Sequence, residues 1–342
     1  LRNASRIFMQ QRVCFFQYAL PASAKKIQPG YYGNVIELNS FRDHSLYADQ
    51  QVTQPAPTSK VKSYLSLVVF SHTIFAMPFA ILGYLLGVIT ANASLSIKLF
   101  LLVIGCMITA RSAAMAFNRY IDRKFDAKNQ RTAIREIPAG IITPESALAF
   151  VIVSSALFIL CTYFINSICF KLSPIALLVV LGYSYTKRFT PLCHLILGVG
   201  LSLAPIGAFL AVTGYFAVQP LLFSFAVLFW VSGFDIIYAL QDETFDRENS
   251  LYSIPSWLGK KSALNVSKLF HVASVGFIFL AGLYHFYAPV YYTGFGIYVL
   301  LLIYQHSIVS PTDLSRVNRA FGTTNGIASV IFVSFPILAV YW

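Results

Sequence analysis

Charged side chains are scarce in this sequence, and acids are the scarcest among them. Only 11% of the 342 residues are charged, with 13 Asp and Glu against 25 Lys and Arg, while 57% are hydrophobic. Soluble domains usually carry about a quarter charged residues. The shortage of charge excludes an ordinary soluble domain and indicates an integral membrane protein.

Cysteine and histidine patterns that bind metals are lacking as well. The five cysteines form no CxxC or His–Cys motif and lie mostly in apolar runs: Cys14, Cys106, Cys161, Cys169 and Cys193. This excludes the usual zinc motifs and a disulfide framework. Strand-like alternation of apolar and polar residues is also absent. We therefore predict an all-α membrane protein, because helices satisfy their own backbone polar groups in lipid.

Apolar runs long enough to cross about 30 Å of hydrocarbon recur after residue 58. They predict a bundle of about nine transmembrane helices, near 64–89, 96–118, 146–168, 173–186, 191–213, 217–240, 264–288, 290–306 and 323–342. We interpret residues 1–58 as a polar, disordered N-terminal extension and 59–342 as the transmembrane domain. The early arginines of the extension leave an organelle transit peptide as the alternative.

Basic residues concentrate in alternate loops. The loops after the second, fourth, sixth and eighth runs are basic, whereas the opposite loops hold only Lys98 and Lys171. Under the positive-inside rule, the basic loops and the N-terminus face the cytoplasm. This topology accounts for the net charge of +12, and we expect no nucleic-acid partner. The acids beyond residue 50 lie on the same side, which that rule does not require.

Two helix ends on this side carry acidic faces. Asn118, Asp122 and Asp126 are spaced i, i+4 and i+8, and Arg111 lies seven residues before Asn118 on the same stripe. The end of the sixth run repeats the pattern with four side chains at offsets of 0, 3, 7 and 11: Asp235, Tyr238, Asp242 and Asp246. Both acidic faces therefore reach the cytoplasmic mouth of the bundle.

Neighbouring carboxylates repel each other, so these faces need a shared cation. Oxygen ligands without His or Cys suit Mg²⁺, which also takes water and phosphate oxygens. Lys187 and Arg188 in the segment GYSYTKR would complete a clamp for a diphosphate. The alternatives are solvated helix caps or a cation or proton carrier, although a carrier's carboxylates would lie near the membrane midplane.

The two acidic motifs resemble those of the UbiA-type intramembrane aromatic prenyltransferases, over roughly residues 60–342. The segment KNQRTAIREIPAGIIT (128–143) is similar to a family loop that commonly reads R-P-L-P-S-G, and it departs from it at Glu136, Ile137 and Ala139. The segment DRENSLYSIPSWLGKKSA (246–263) is similar to the Ser-Ile-Pro…Gly segment of the family. GFDIIYALQDETFD (233–246) and SHTIFAMPFAILG (71–83) most resemble the 4-hydroxybenzoate polyprenyltransferase-like branch.

This resemblance implies a UbiA-like prenyltransferase fold and a Mg²⁺-dependent enzyme. It would transfer a polyprenyl group from polyprenyl diphosphate to an aromatic acid such as 4-hydroxybenzoate, in ubiquinone or menaquinone biosynthesis. The implied metal ligands are Asn118, Asp122, Asp126, Asp242 and Asp246, and the implied catalytic residues are the four aspartates and Lys187, which ends a YxxxK element beginning at Tyr183. The implied substrate-binding residues are Asn118, Arg111, Arg123, Tyr183, Arg188, Asp235 and Tyr238.

Several alternatives remain open from the sequence. Another acceptor is compatible with the same fold, including a naphthoate of the futalosine route, haem, a chlorin, homogentisate or a glycerol phosphate. Arg111 would pair either with an acceptor carboxylate or with Asp235. The expected location is a bacterial inner membrane, in contact with lipid, with the N-terminus and the active-site loops in the cytoplasm. A cation-coupled carrier is the alternative from another class.

Overall fold

A computed structural model describes residues 59–68, 70–285 and 288–341. Within these ranges the chain forms helices and no strand, which confirms the all-α prediction. The α-helices are α1 Lys60–Leu67, α2 Phe70–Thr90, α3 Ile97–Asp126, α4 Pro144–Ile165, α5 Ser167–Thr186, α6 Cys193–Thr213, α7 Val218–Ala239, α8 Glu243–Glu248, α9 Ile254–His285, α10 Pro289–Ser307, α11 Val317–Arg319 and α12 Asn325–Tyr341. The proposed extension 1–58 lies outside the described residues, so its boundary stays a prediction.

The described helices are those of an integral membrane protein. Seven segments are long and apolar enough to cross a bilayer: Ile97–Asp126, Pro144–Ile165, Ser167–Thr186, Cys193–Thr213, Val218–Glu248, Ile254–Tyr284 and Val317–Ala339. Two further helices, α2 and the 19-residue α10, complete a set compatible with the predicted number of about nine. α10 is less apolar than the seven segments because it carries four tyrosines, a glutamine and a histidine among its apolar residues.

Helix boundaries differ from the predicted runs at several places, and α9 begins at Ile254 rather than 264. The first run, 64–89, contains the end of α1 at Leu67 and the start of α2 at Phe70. α5 begins at Ser167 rather than 173, because Asn166 caps it by accepting a hydrogen bond from the backbone N–H of Cys169 at 2.9 Å. The Asn166 amide also donates to the Leu210 carbonyl at 2.8 Å, which ties the start of α5 to α6.

The largest buried cluster surrounds α7. The Trp230 ring is fully enclosed and meets Phe79 of α2 and Phe332 of α12 at centroid distances of 5.4 and 6.4 Å. Phe209 of α6 and Phe223 of α7 belong to the same cluster. Burial of this many aromatic rings against each other fixes α7 among its neighbours. α7, which carries Asp235 and precedes Asp242 and Asp246, is therefore held on several sides.

A glycine permits the close approach of α6 and α7. A Cβ added at Gly198 would lie 2.4 Å from Ser232 Oγ and 2.5 Å from the Leu228 carbonyl oxygen. The Ser232 hydroxyl donates to the Leu228 carbonyl at 2.7 Å and also lies 3.1 Å from the His194 carbonyl oxygen, so it cannot move away freely. This contact sets the position of the start of α6 against the end of α7.

We expect Gly198→Ala to destabilise the protein, because the added methyl group collides with backbone of α7. Overpacking of this kind typically costs about 1–3 kcal/mol. Thermal unfolding of the detergent-purified protein measures the effect. Gly207→Ala in the same helix is the control, since a Cβ there has no neighbour within 4 Å. Equal melting temperatures for the two variants would contradict the close approach.

Candidate active site

The acidic face of α3 forms as its spacing predicts. Asn118 Nδ2 donates to Asp122 Oδ2 at 3.1 Å, one helical turn apart. Asp122 and Asp126 are each only 6% exposed. A buried carboxylate needs compensation by a positive charge or hydrogen bonds, so the partners of these acids define the site.

Each of the four predicted aspartates has a basic partner. Arg188 contacts Asp122 at 2.8 Å, Arg135 contacts Asp126 at 2.6 Å, Lys187 lies 3.6 Å from Asp246, and Arg131 forms an ion pair with Asp242. Two of these cations follow α5 and two belong to the loop between α3 and α4. The aspartates and their partners therefore come from the ends of α3, α5 and α7 and the residues that follow those ends.

Lys187 lies where the two acidic faces meet. Burial lowers the pKa of Lys187, but the negative charges of Asp246, Asp122 and Asp242 outweigh burial and raise that pKa above its ordinary value. Lys187 therefore stays positively charged at neutral pH. One side chain within electrostatic range of acids from both motifs shows that the motifs belong to one site.

Arg131 binds two residues of the second acidic motif. Its Nε donates to Asp242 Oδ1 at 3.1 Å, and a terminal nitrogen donates to the Tyr238 hydroxyl at 2.9 Å. Asn129 also donates to Asp242 Oδ1, at 3.1 Å. Burial lowers the pKa of Arg131, but the hydrogen bond to Asp242 and the charge of that carboxylate have a larger, opposite effect. The pKa of Arg131 therefore lies above its ordinary value, and the guanidinium keeps its charge.

Sequence reasoning did not include Arg131, Arg135 or Asn129 among the site residues. All three lie in the segment 128–143, whose similarity to a family loop was the available signal. Arg123 was included, but it lies apart from the acids. Its guanidinium donates to the Tyr120 carbonyl at 2.6 Å and stacks over the Tyr120 ring, with no hydrogen bond or ion pair to a described aspartate.

The oxygen ligands suit a magnesium ion that is shared with a substrate. Among the described residues, no group of three or more His, Cys, Asp or Glu could hold a metal ion alone. Asp126 Oδ2 and Asp246 Oδ1 are nevertheless buried without a hydrogen-bond partner. Because Mg²⁺ uses one or two carboxylates and completes its shell with water and phosphate oxygens, these residues fit it.

A cavity of about 380 Å³ opens between α3, α5 and α6. Its wall is almost entirely apolar and includes Val103, Ala110, Leu172, Val180, Leu201 and Ala204. Arg111 and Tyr183 are the large polar residues of this wall. Arg111 Nε is buried without a hydrogen-bond partner. Asp235 pairs with His194 at 2.7 Å and not with Arg111, so the alternative of an Arg111–Asp235 ion pair is wrong.

Comparison with known proteins places the chain in a family. The model of the UbiA prenyltransferase family matches residues 76–334. The chain belongs to the UbiA prenyltransferase family. Its membership confirms the resemblance drawn from the motifs, and the chain is accordingly a membrane-embedded prenyltransferase.

Individual relatives of this UbiA family member agree with the match. The chain is 29% identical over 234 residues to the 4-hydroxybenzoate octaprenyltransferase of Nitrosospira multiformis, covering 68% of this chain and 80% of the relative. The enzyme of the same name from Tolumonas auensis is 29% identical over 237 residues, with coverages of 69% and 82%.

Solved structures confirm the UbiA fold. A UbiA homologue from Aeropyrum pernix K1 superposes with a TM-score of 0.71 at 31% identity, covering 79% of this chain and 98% of that one. A homologue from Archaeoglobus fulgidus, bound to DMAPP and Mg²⁺, superposes with a TM-score of 0.65 at 20% identity, with coverages of 82% and 99%. Because the identity to the A. fulgidus homologue is only 20%, that comparison supports a shared fold and no other shared property.

We expect Arg131→Gln to increase the affinity of the substrate-free protein for divalent ions. The arginine occupies Asp242, so its removal frees an oxygen ligand, and charge-assisted bonds of this kind are worth about 1.5–3 kcal/mol, or tenfold or more in affinity. Mn²⁺ binding followed by electron paramagnetic resonance measures the change. Lys128→Gln removes one charge from an exposed position of the same loop and serves as control. An unchanged Mn²⁺ affinity in Arg131→Gln would exclude Asp242 as a ligand.

Proposed function

We propose that this protein transfers a polyprenyl group from polyprenyl diphosphate to an aromatic acid such as 4-hydroxybenzoate, with Mg²⁺, in ubiquinone or menaquinone biosynthesis. The supporting observation is that two acidic helix ends meet four cations near an apolar cavity with an unpaired arginine in its wall. The names of the curated relatives support the same reaction.

The diphosphate would lie between the two acidic faces. Asn118, Asp122 and Asp126 would hold magnesium on one side, and Asp242 and Asp246 on the other. Bound Mg²⁺ would neutralise the negative charge that develops on the leaving diphosphate. Lys187 and Arg188 would donate hydrogen bonds to its oxygens, in a site where such bonds are stronger than in water.

The apolar cavity would hold the prenyl chain and keep water from the reacting carbon. As the bond between the allylic carbon and the diphosphate oxygen breaks, a ring carbon of the acceptor forms the new bond, and the proton on that ring carbon then passes to the released diphosphate. Water at this point would trap the allylic carbon as an alcohol. The nearly complete apolar lining of the cavity supports this role.

Arg111 would bind the carboxylate of the acceptor. An unpaired buried guanidinium is costly, and a planar carboxylate matches its geometry with two hydrogen bonds. Tyr183 lies in the same wall, and Asp235 and Tyr238 would contribute polar contacts. The unpaired state of Arg111 Nε favours a carboxylated aromatic acceptor.

The membrane orientation forms part of the proposal. We place the two acidic helix ends and the N-terminus on the cytoplasmic side of a bacterial inner membrane, because the basic loops are expected to face the cytoplasm. A cation-coupled carrier is disfavoured because the aspartates cluster at helix ends, whereas carriers bind ions near the midplane of the membrane.

We expect Asp122→Ala and Asp242→Ala each to reduce prenyl transfer by about a hundredfold or more, because each removes charge stabilisation of the leaving group. Labelled prenyl diphosphate and 4-hydroxybenzoate in detergent provide the assay, and membrane insertion should remain normal. Asp313→Ala is the control, since Asp313 is exposed in the loop before α11. Full turnover in both aspartate variants would refute the diphosphate site.

We expect Arg111→Ala to raise the KM for 4-hydroxybenzoate about tenfold to a hundredfold, as loss of a charged hydrogen bond implies. The KM for prenyl diphosphate should change little. The uncharged methyl ester of 4-hydroxybenzoate is the matched substrate, and its turnover should be nearly equal in both proteins. An equal loss for acid and ester would show that Arg111 does not bind the carboxylate.

A further inference from the structure

His194, at the second position of α6, lies beside the site but has no role in the function proposed above. Its side chain is only 3% exposed. Nδ1 lies 2.7 Å from Asp235 Oδ2, and Nε2 lies 3.3 Å from the backbone nitrogen of Ile254. One imidazole ring therefore joins α6 to the end of α7 and to the start of α9.

These two contacts define the protonation of the imidazole. The backbone N–H of Ile254 can only donate, so Nε2 must accept with a lone pair. The remaining ring proton then lies on Nδ1, where it is donated to Asp235. The geometry at Nε2 thus corresponds to a neutral His194 ring, with the negative charge on Asp235.

Asp235 keeps one carboxylate oxygen free. The Asp235 side chain is 24% exposed, although the next two residues of α7, Ile236 and Ile237, are fully buried. Tyr183, which lines the cavity, lies within electrostatic range of Asp235. Leu197, nearly one turn after His194, lines the cavity too. Asp235 therefore has an accessible part within electrostatic range of a cavity-lining side chain, while His194 binds its other oxygen.

The second bond of His194 leads to the diphosphate side of the site. Three residues before Ile254, the backbone N–H of Leu251 donates to the Asp246 carbonyl at 2.8 Å. The backbone N–H of Tyr252 donates to the Lys187 carbonyl at 2.6 Å. The segment that His194 contacts is thus the same one that contacts Asp246 and Lys187.

We propose that His194 is a positioning residue: its neutral imidazole orients the ionised Asp235 to accept a hydrogen bond from the acceptor hydroxyl, at a fixed place relative to the segment that holds Asp246. The inference rests on the proposed function, because it assigns Asp235 to the acceptor. It adds a residue that acts through Asp235 and touches neither substrate.

Two substitutions separate this role from simple packing. In His194→Gln, the amide nitrogen can donate to Asp235 and the amide oxygen can accept from Ile254, whereas His194→Leu removes both bonds. We expect His194→Leu to raise the acceptor KM about tenfold or more, with the prenyl diphosphate KM within about threefold. His194→Gln should return the acceptor KM to within about threefold of the wild-type value.

His271→Leu is the matched control. His271 is also buried, and it bonds to His306 at 2.8 Å and to the Trp230 carbonyl at 3.3 Å, without contact to a carboxylate. Its loss should leave the acceptor KM unchanged. Equal rises of both KM values in His194→Leu, or no rescue by His194→Gln, would overturn the proposal.

A double-mutant cycle tests whether His194 acts through Asp235. Asp235→Ala should raise the acceptor KM at least as much as His194→Leu does, and the double variant should be no worse than Asp235→Ala alone. Effects that multiply would show that the two residues act independently, which contradicts positioning.

The protonation of His194 provides a readout that needs no turnover. In ¹⁵N-histidine NMR of the substrate-free protein, the signals that disappear in His194→Gln should report a neutral ring protonated at Nδ1. A ring protonated at Nε2, or at both nitrogens, would overturn the inference. Should the wild-type protein transfer nothing to any phenolic acid, the proposed function fails, while this measurement still decides the His194–Asp235 contact.

Discussion

Carboxylates buried in a membrane bundle must be compensated, and this requirement organises the site. Removing one partner of a buried ion pair typically costs about 3–5 kcal/mol, so four such acids demand four reliable partners. The chain supplies two of them directly after α5, at Lys187 and Arg188, and two from the loop between α3 and α4. The loops are therefore as essential to the site as the helices that carry the acids.

The apolar cavity complements the charged site formed by these aspartates and their basic partners. Its wall is mostly apolar and contains the large polar side chains of Arg111 and Tyr183, so it offers contacts both to hydrocarbon and to an anion. Close packing of α6 on α7 at Gly198 fixes the helices that bear His194 and Asp235. The arrangement separates a region for charge from a region for hydrocarbon, as the proposed prenyl transfer requires.

Periodic features of the structure could be predicted from the sequence, whereas loop geometry could not. The spacing of Asn118, Asp122 and Asp126 determines a shared helical face, and the apolar runs determine which segments enter lipid. Arg131 reaches Asp242 across 111 residues and His194 reaches Asp235 across 41, and no periodicity encodes such pairings. The break between α1 and α2 escaped prediction because hydropathy is continuous across it.

The loop between α3 and α4 links the two acidic motifs mechanically. Arg131 and Arg135 lie four residues apart, yet they contact Asp242 beyond α7 and Asp126 at the end of α3. One short segment of backbone therefore carries counter-charges for an acid of each motif. Any change in the position of this segment moves the partners of Asp126 and Asp242 together.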